Sequence, residues 1–268
     1  MSEEMGHFNQ VDEATKPDDF IRFLDKASGL DWVKAGKQKT FALLKLKRGQ
    51  RILEVGCGTG EDARILAEKV HPGGEVVAID KSQEMVVEAR KRTQDKSQSI
   101  DFRVGDVTAL DFESNSFDRC HIERALIHIP DPQKAIQEMI RVLRSGGLLV
   151  AFEGDLDTNI LDSSDPELTR KILRFWCGSF QSPYIGRRLP AMYKKTGLIE
   201  INVQPHTFLF DFDLTEQVLI SGTLERAIEA GVVTANEADR WLLDLKQARD
   251  SGTFFFAGTG FIVSGRKP

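Results

Sequence analysis

Three glycines at alternate positions mark the stretch of this chain that is best suited to binding a ligand. Gly56, Gly58 and Gly60 directly follow the apolar run Arg51 to Val55, and residues 62–70 then carry apolar side chains at helical spacing. A strand that enters a helix through a glycine-rich turn presents free backbone N–H groups, and glycine lets the backbone approach a ligand without a Cβ in the way. The pattern therefore predicts a ligand-binding turn between a strand and a helix.

The position of the third glycine argues against a dinucleotide. The fingerprint G-x-G-x-x-G, started at Gly56, would place its third glycine at position 61. That position is Glu61, and the third glycine, Gly60, comes one residue earlier. A carboxylate there would repel a pyrophosphate, whereas it suits a ligand that carries an amine and a sulfonium.

Two further carboxylates follow the next predicted strands. The apolar run 75–80 ends in Asp80, and the strand that begins at residue 100 is followed by Gly105, Asp106 and Val107. A carboxylate at the end of the second strand is placed to accept both hydroxyls of a ribose. Asp106 can accept the exocyclic amine of an adenine while Val107 packs on the ring.

In this order and spacing, the motifs E-V-G-C-G-T-G, A-I-D-K-S-x-x-M and G-D-V resemble the class I S-adenosylmethionine-dependent methyltransferases. The small-molecule branch, called the methyltransferase 11 or UbiE-like group, is the most similar, and the resemblance covers about residues 45–153 and the final strand. It implies S-adenosyl-L-methionine as cofactor. The implied cofactor-binding residues are Glu54, Gly56, Cys57, Gly58, Gly60, Asp80, Lys81, Met85, Asp106, Val107 and Glu123. For Met85, a place in the core is the alternative.

The resemblance also implies an α/β fold. We expect a Rossmann-like seven-stranded sheet in the order 3-2-1-4-5-7-6, with strand 7 antiparallel and with a helical cover. Residues 1–48 are predicted to form an N-terminal helical lid, which Gly29 and Gly36 break into two or three short helices. Residues 49–268 are predicted to form the methyltransferase domain, with a cover insertion at about 155–198. Residues 1–20 are expected to be loosely ordered without ligand.

Candidates for the reaction centre follow the fourth predicted strand, residues 117–122. In open α/β sheets ligands bind outside the carboxyl ends of the strands, and Glu123, Arg124 and His128 come just after this one. Methyl transfer from a sulfonium is an in-line displacement, so a general base matters only for an acceptor with a tightly held proton. The candidates for that base are His128, Glu123, His7 and His121. For each of them a structural role is the alternative.

The composition excludes several classes of protein. The 268 residues are 41% hydrophobic and 29% charged, as is ordinary for a globular protein, and the net charge of −5 gives no basic face for nucleic acid. No apolar run reaches the ~20 residues of a membrane span, and the N-terminus lacks a signal-peptide core. Cys57, Cys120 and Cys177 are widely spaced, which indicates reduced thiols in a cytoplasmic protein. No cluster of His, Asp or Glu has metal-ligand spacing, so we expect a metal-independent enzyme.

The expected acceptor is a small, partly aromatic or apolar molecule. The insertion and the N-terminal segment carry more large apolar side chains than short cover helices usually bury, which favours an enclosed pocket. Arg187 and Arg188 at its rim are candidates for orienting an acidic substituent, with a solvated helix start as the alternative. Three alternatives to a small-molecule methyltransferase remain: a dehydrogenase, a non-catalytic cofactor-binding module, and a protein or nucleic-acid methyltransferase. The oligomeric state stays open.

Overall fold

The computed structural model describes residues 8–13, 16–93 and 99–268. Seven strands form one sheet in the order β3-β2-β1-β4-β5-β7-β6, as predicted. The strands are β1 (Arg51–Val55), β2 (Glu75–Asp80), β3 (Ile100–Val104), β4 (Phe117–Glu123), β5 (Leu143–Leu161), β6 (Ile199–Phe210) and β7 (Phe256–Arg266). The first five strands pair in parallel, and β7 is antiparallel to both of its neighbours.

Helices cover both faces of this sheet. They are α1 (Pro17–Ser28), α2 (Asp31–Leu44), α3 (Glu61–Val70), α4 (Gln83–Arg92), α5 (Pro132–Val142), α6 (Pro166–Cys177), α7 (Ile185–Lys195), α8 (Phe212–Thr215), α9 (Thr223–Glu229) and α10 (Ala235–Asp250). Short 3₁₀ helices occupy Phe8–Glu13 and Leu126–His128, and a π-helical turn occupies Glu216–Ile220. Apolar side chains of α2, α3 and α4 fill the core on one face of the sheet. Those of α5 and α7 fill the core on the other face.

Gly29 ends α1, but the expected break at Gly36 is wrong. Gly36 lies inside α2, and a Cβ at this position would stand 3.1 Å from Cε1 of Phe152 and 3.3 Å from Nε2 of His206. The glycine therefore lets the helix backbone approach β5 and β6 closely. A sequence pattern cannot separate a glycine that ends a helix from one that allows such an approach.

The fifth strand extends into the region predicted as the cover insertion. β5 runs from Leu143 to Leu161, whereas the insertion was predicted to begin at about residue 155. Its second half pairs with β7 after a register shift between Asp155 and Ile160. At this irregularity Thr158 Oγ1 donates to the carbonyls of Asp155 and Thr259, and it accepts from the Thr259 N–H at 2.9 Å. Pairing with β7 thus extends β5 beyond the irregularity, as far as Leu161.

A group of helices with its own apolar core lies beyond the carboxyl end of β5. It combines α6, from the predicted insertion, with α8, α9 and α10, which lie between β6 and β7. The core of this cap, as we name residues 161–180 and 211–255, includes Ile172, Leu219 and the fully buried Trp241, whose Nε1 donates to Thr169 Oγ1 at 2.8 Å. Across the described part of the chain, every helix falls short of the length and apolarity needed to cross a membrane.

Candidate active site

The glycine turn is shaped by contacts that exclude side chains. Gly56 has a φ of 70°, and a Cβ there would lie 2.6 Å from the Cβ of Ala125. The N–H groups of Gly56 and Cys57 both donate to the Ile79 carbonyl, at 2.8 and 3.0 Å. Only glycine combines this positive φ with so close a neighbour. The turn therefore places bare backbone at the carboxyl end of β1.

Asp80 stands beside this turn at the end of β2. Its Oδ2 accepts the Gly58 N–H at 2.8 Å, and its Oδ1 accepts the Ser82 N–H at 2.9 Å. Burial raises the pKa of Asp80 in spite of these two hydrogen bonds. The carboxylate is thus fixed in place at the wall of the cavity described below.

The next carboxylate, Asp106, follows β3 at the same edge of the sheet. Its Oδ1 accepts from the backbone N–H and the hydroxyl of Thr108, each at 2.7 Å. Burial acts to raise the pKa of Asp106, but the hydrogen bonds from Thr108 outweigh it and lower the pKa. Val107 and Met85 beside it are buried. An ionised carboxylate and an apolar surface thus lie side by side.

Below the turn lies a buried cluster of charged groups from β1, α2, α3 and β4. Glu54 and His121 are in register on neighbouring strands, and Glu54 Oε2 lies 2.6 Å from His121 Nδ1. Lys37 of α2 places Nζ 2.5 Å from Glu61 Oε2 and 2.8 Å from Asp62 Oδ1. Burial raises the pKa of Glu54 to about 7. Burial alone would lower the pKa of His121, but Glu54 and the nearby acids raise it to about 9.

This cluster also brings together a set of side chains that sequence spacing did not show. Ligand atoms of Glu54, Asp62 and His121 lie within 4.8 Å of one another. In this structure the Lys37 ammonium lies against Asp62, and Glu54 is paired with His121. Each acid of the cluster therefore has a basic partner within it, and metal independence stays a prediction.

Glu123 and Arg124 lie at the end of β4 with part of their hydrogen-bonding capacity unused. Both carboxylate oxygens of Glu123 and Nε of Arg124 are buried without a hydrogen bond among the described residues. Arg124 Nη2 lies 3.2 Å from Glu123 Oε1. Burial raises the pKa of Glu123. Buried polar atoms without partners are costly, so these atoms are suited to contact a ligand.

Glu153 of β5 fixes the 3₁₀ turn that carries His128. Its Oε1 accepts the N–H groups of Ala125 and Leu126, at 3.0 and 2.7 Å, and burial raises the pKa of Glu153 to about 8. The His128 ring lies between two aromatic rings, with its centroid 5.6 Å from Phe8 and 6.0 Å from Phe180. His128 is thus held at the meeting point of the N-terminal segment and the cap.

The N-terminal segment closes this edge of the sheet. Asp12 accepts from the Ser82 hydroxyl and from the N–H of Gln83 at 2.8 Å, so it caps the first turn of α4. Burial acts to raise the pKa of Asp12, but these hydrogen bonds outweigh it and lower the pKa. Further along, Asp25 of α1 pairs with Arg92 of α4 at 2.5 and 3.0 Å. Two carboxylates of the segment therefore hold it against α4.

These elements line a partly open cavity of about 780 Å³. One end is formed by the glycine turn with Asp80 and Asp106. The walls elsewhere are largely aromatic, from Phe8, Trp32, Trp176, Phe180, Phe208 and Phe210. Trp32 contacts Phe208 and Phe210 with centroids 4.9 and 5.5 Å apart. The cavity therefore combines a polar end of defined geometry with a wide apolar space.

Most of the residues predicted from sequence line this cavity. They are Gly56, Cys57, Gly58, Asp80, Lys81, Met85, Asp106, Val107, Glu123, Arg124 and His128. Of the described candidates, Glu54, Gly60 and His121 lie outside the wall, and so do Arg187 and Arg188. Arg187 instead donates to the buried Asp155 at 2.5 and 2.6 Å. His7 lies outside the described residues.

Other wall residues were missed by the sequence analysis. Lys37 and the cap residues Leu214 and Val218 also line the cavity. Lys37 sits in an ordinary amphipathic helix, and the two cap residues follow the sheet's edge strand. Nothing in their local pattern separates them from core or surface positions, because only the packing of α2 and the folding of the cap bring them to the site.

The glycine turn, the acids after β2 and β3 and the strand order together define a class I methyltransferase fold. Comparison with known proteins agrees with this assignment. A family model described as a methyltransferase domain matches residues 46–193. An uncharacterized 37.1 kDa protein in transposon TN4556 of Streptomyces fradiae is 35% identical over 257 residues, which covers 95% of this chain and 73% of that protein.

A demethylmenaquinone methyltransferase of Bacillus cereus is 28% identical over 191 residues, or 65% of this chain and 81% of that protein. The solved structure of YcgJ from Bacillus subtilis has a TM-score of 0.61 at 21% identity, covering 87% of this chain and 98% of that one. A phosphoethanolamine N-methyltransferase 2 of Haemonchus contortus, in complex with S-adenosylhomocysteine, has a TM-score of 0.62 at 22% identity. The match covers 97% of this chain and 60% of that one.

This chain belongs to the methyltransferase domain family. It is a class I enzyme that uses S-adenosylmethionine as cofactor. The residues present fit that cofactor, because Gly56 leaves no room for a side chain and because the buried carboxylate of Glu123 at the cavity wall has no hydrogen bond among the described residues.

Proposed function

We propose that this methyltransferase acts on a small aromatic or apolar metabolite, by in-line displacement and without a metal ion. The observation that carries the proposal is the cavity of about 780 Å³, which joins the glycine turn to aromatic walls. Enclosed, mostly apolar pockets with a few placed polar groups are typical of small-molecule sites. The relative from Bacillus cereus is named for demethylmenaquinone, an acceptor that would suit such walls.

The proposed roles at the polar end follow from position and charge. Asp80 accepts hydrogen bonds from the ribose hydroxyls, while Asp106, Val107 and Met85 bind the adenine. The glycine turn and Glu123 receive the methionine end, where a carboxylate without a hydrogen bond suits an ammonium. Residues 1–48 act as the lid over this end, and residues 49–268 form the catalytic domain.

The protein's own contribution to the reaction is alignment and enclosure. When bound, S-adenosylmethionine supplies a methyl group on a sulfonium that leaves as a neutral thioether. The aromatic walls exclude water and hold the acceptor in line, which can contribute up to ~7–11 kcal/mol of barrier lowering. His128, held by the turn that Glu153 fixes, takes the proton of an acceptor hydroxyl.

Turnover tests the proposal. The purified enzyme is incubated with S-adenosylmethionine and a panel of phenols, naphthols and indoles, each with and without an acidic substituent, and S-adenosylhomocysteine is measured. We expect turnover with at least one member. Tight binding of the cofactor with no turnover on any small acceptor would contradict the proposal, and methylation of added protein or nucleic acid instead would identify the alternative class.

With an acceptor found, His128→Gln should lower kcat roughly 10²- to 10⁴-fold, as is typical of losing a general base. The binding of S-adenosylhomocysteine, measured by calorimetry, should stay the same. A kcat equal to the parent's would remove His128 from the mechanism.

A further inference from the structure

Arg124 is an unusual residue at the cavity wall. It follows β4 with a φ of 54°, in the left-handed region that favours glycine, and its N–H donates to the Phe152 carbonyl at 2.8 Å. Strained conformations of this kind cluster at ligand-binding sites. The backbone is thus held in a conformation that brings this arginine to the cavity.

The guanidinium of Arg124 has unused donors. Among the described residues, its Nε is buried without a hydrogen-bond partner, and Nη2 has a single ionic contact, at 3.2 Å to Glu123 Oε1. A buried N–H without an acceptor is costly, whereas the planar fork of a guanidinium matches two oxygens of a carboxylate or phosphate. The side chain is therefore suited to bind an oxyanion.

Three other cations of the described cavity wall have partners of their own, and two more, Lys81 and Lys134, lie close enough to Asp106 to lower its pKa. Lys37 pairs with Glu61 and Asp62, and Arg92 pairs with Asp25 and Glu88. Arg64 donates through Nη1 to the Thr59 carbonyl at 2.9 Å. Arg187 at the rim, expected from sequence to orient an acid, is committed to Asp155. At the end of β4, Arg124 is therefore the cation of the described wall whose donors remain for a ligand.

The position of Arg124 separates it from the adenine end. The next residue, Ala125, packs on Gly56 of the turn, and Ile127 and His128 follow along the same wall. We propose that Arg124 binds a carboxylate or phosphate on the acceptor, so that the substrates are aromatic or apolar acids. This inference rests on the proposed function and specifies its acceptor class.

Matched naphthalene probes test it by calorimetry with the enzyme saturated with S-adenosylhomocysteine. The probes are 2-naphthoate, 2-naphthyl phosphate and the neutral 2-naphthamide. The parent should bind at least one of the two anions about tenfold or more tightly than the amide, and which of them it prefers identifies the oxyanion.

Arg124→Met should lose this preference, and Arg124→Lys should retain part of it. Arg188→Met, an exposed arginine outside the cavity, is the matched control and should behave as the parent does.

The affinity for S-adenosylhomocysteine separates the possible failures. It should change less than about threefold in Arg124→Met, which also shows that this variant is folded. A loss of tenfold or more would make Arg124 a ligand of the cofactor's carboxylate and would overturn the inference. Equal binding of anions and amide by the parent would overturn it as well. A parent that fails to bind S-adenosylhomocysteine at all would instead contradict the proposed function.

Discussion

At the scale of single residues, the pair Glu54 and His121 shows how the site depends on strand register. The sequence does not show that the two residues meet, but the parallel pairing of β1 and β4 sets them opposite each other. Both are buried, so neither can exchange its partner for water. Breaking one member of such a pair leaves a buried charge without compensation, which typically costs about 3–5 kcal/mol.

This pair makes stability depend on pH. The folded-state pKa of His121 is about 9, above its ordinary value of 6.5, because Glu54 and the nearby Asp62 and Glu123 favour the charged ring although burial opposes it. The stability that the charged ring of His121 contributes is therefore complete below about pH 6.5 and is lost as the pH rises through about 9. We expect a loss on the order of 2–3 kcal/mol across that interval, measured by urea unfolding.

The control for that prediction is the neutral double variant Glu54→Gln with His121→Gln. Other buried acids, such as Glu153, titrate in both proteins, so only the difference between the two curves belongs to the pair. If the double variant lost as much stability as the parent between pH 6.5 and 9, the ionised pair would not be the cause.

Asp80 gives a second prediction at this scale. If it accepts hydrogen bonds from the ribose, Asp80→Asn should weaken the binding of S-adenosylhomocysteine roughly 10- to 150-fold, since hydrogen bonds to a charged group contribute about 1.5–3 kcal/mol. Calorimetric titration measures this change. Asp101→Asn, a change of a half-exposed carboxylate on β3, should bind as the parent does. Unchanged affinity in a folded Asp80→Asn protein would refute the assigned role.

At the scale of elements, the N-terminal segment is attached to the cofactor end by capping. Asp12 completes the first turn of α4 from outside that helix, and Val11 beside it is buried against Phe20 and Met85. An N-cap interaction contributes about 0.5–2 kcal/mol. Such a contact is strong enough to favour a closed segment and weak enough to open for exchange of ligands.

Limited proteolysis tests this attachment. Cleavage within the first 20 residues should slow when S-adenosylhomocysteine binds to the parent. Asp12→Ala should be cleaved about 2- to 30-fold faster than the parent in the presence of ligand, as the loss of a cap implies. Glu13→Ala removes the neighbouring exposed acid and serves as the control. Equal cleavage of the parent with and without ligand would mean that ligand does not order the segment.

The elements also show what sequence can and cannot predict. The strand order, the glycine turn and the acids after β2 and β3 were predicted, because each depends on contacts close in sequence or on a motif. The continuation of β5 to Leu161 and the uninterrupted α2 around Gly36 were not, because both depend on partners far away in the chain. Lys37 was missed for the same reason, since only the packing of α2 brings it to Glu61.

At the scale of the whole molecule, ligand binding should stabilise the fold. A ligand present at 100 times its Kd adds about 2.7 kcal/mol, which for a protein of this size corresponds to a rise in Tm of roughly 5–10 °C. Scanning fluorimetry with S-adenosylhomocysteine should show this rise, and NADH at the same concentration should leave Tm unchanged, because Glu61 stands where a dinucleotide turn needs glycine. A shift with NADH alone would contradict the cofactor assignment.

The division of the cavity wall along the chain has a further consequence for how the protein can change. The groups assigned to the cofactor lie between residues 54 and 128, whereas the aromatic walls come from the N-terminal helices, from the region after β5 and from β6 with the helices that follow it. Evolution or an engineer can therefore exchange the outer segments for others of different shape while the central segment is inherited intact. A protein of this kind can then acquire new acceptors by recombination of the outer segments, while the residues assigned to the cofactor stay unchanged.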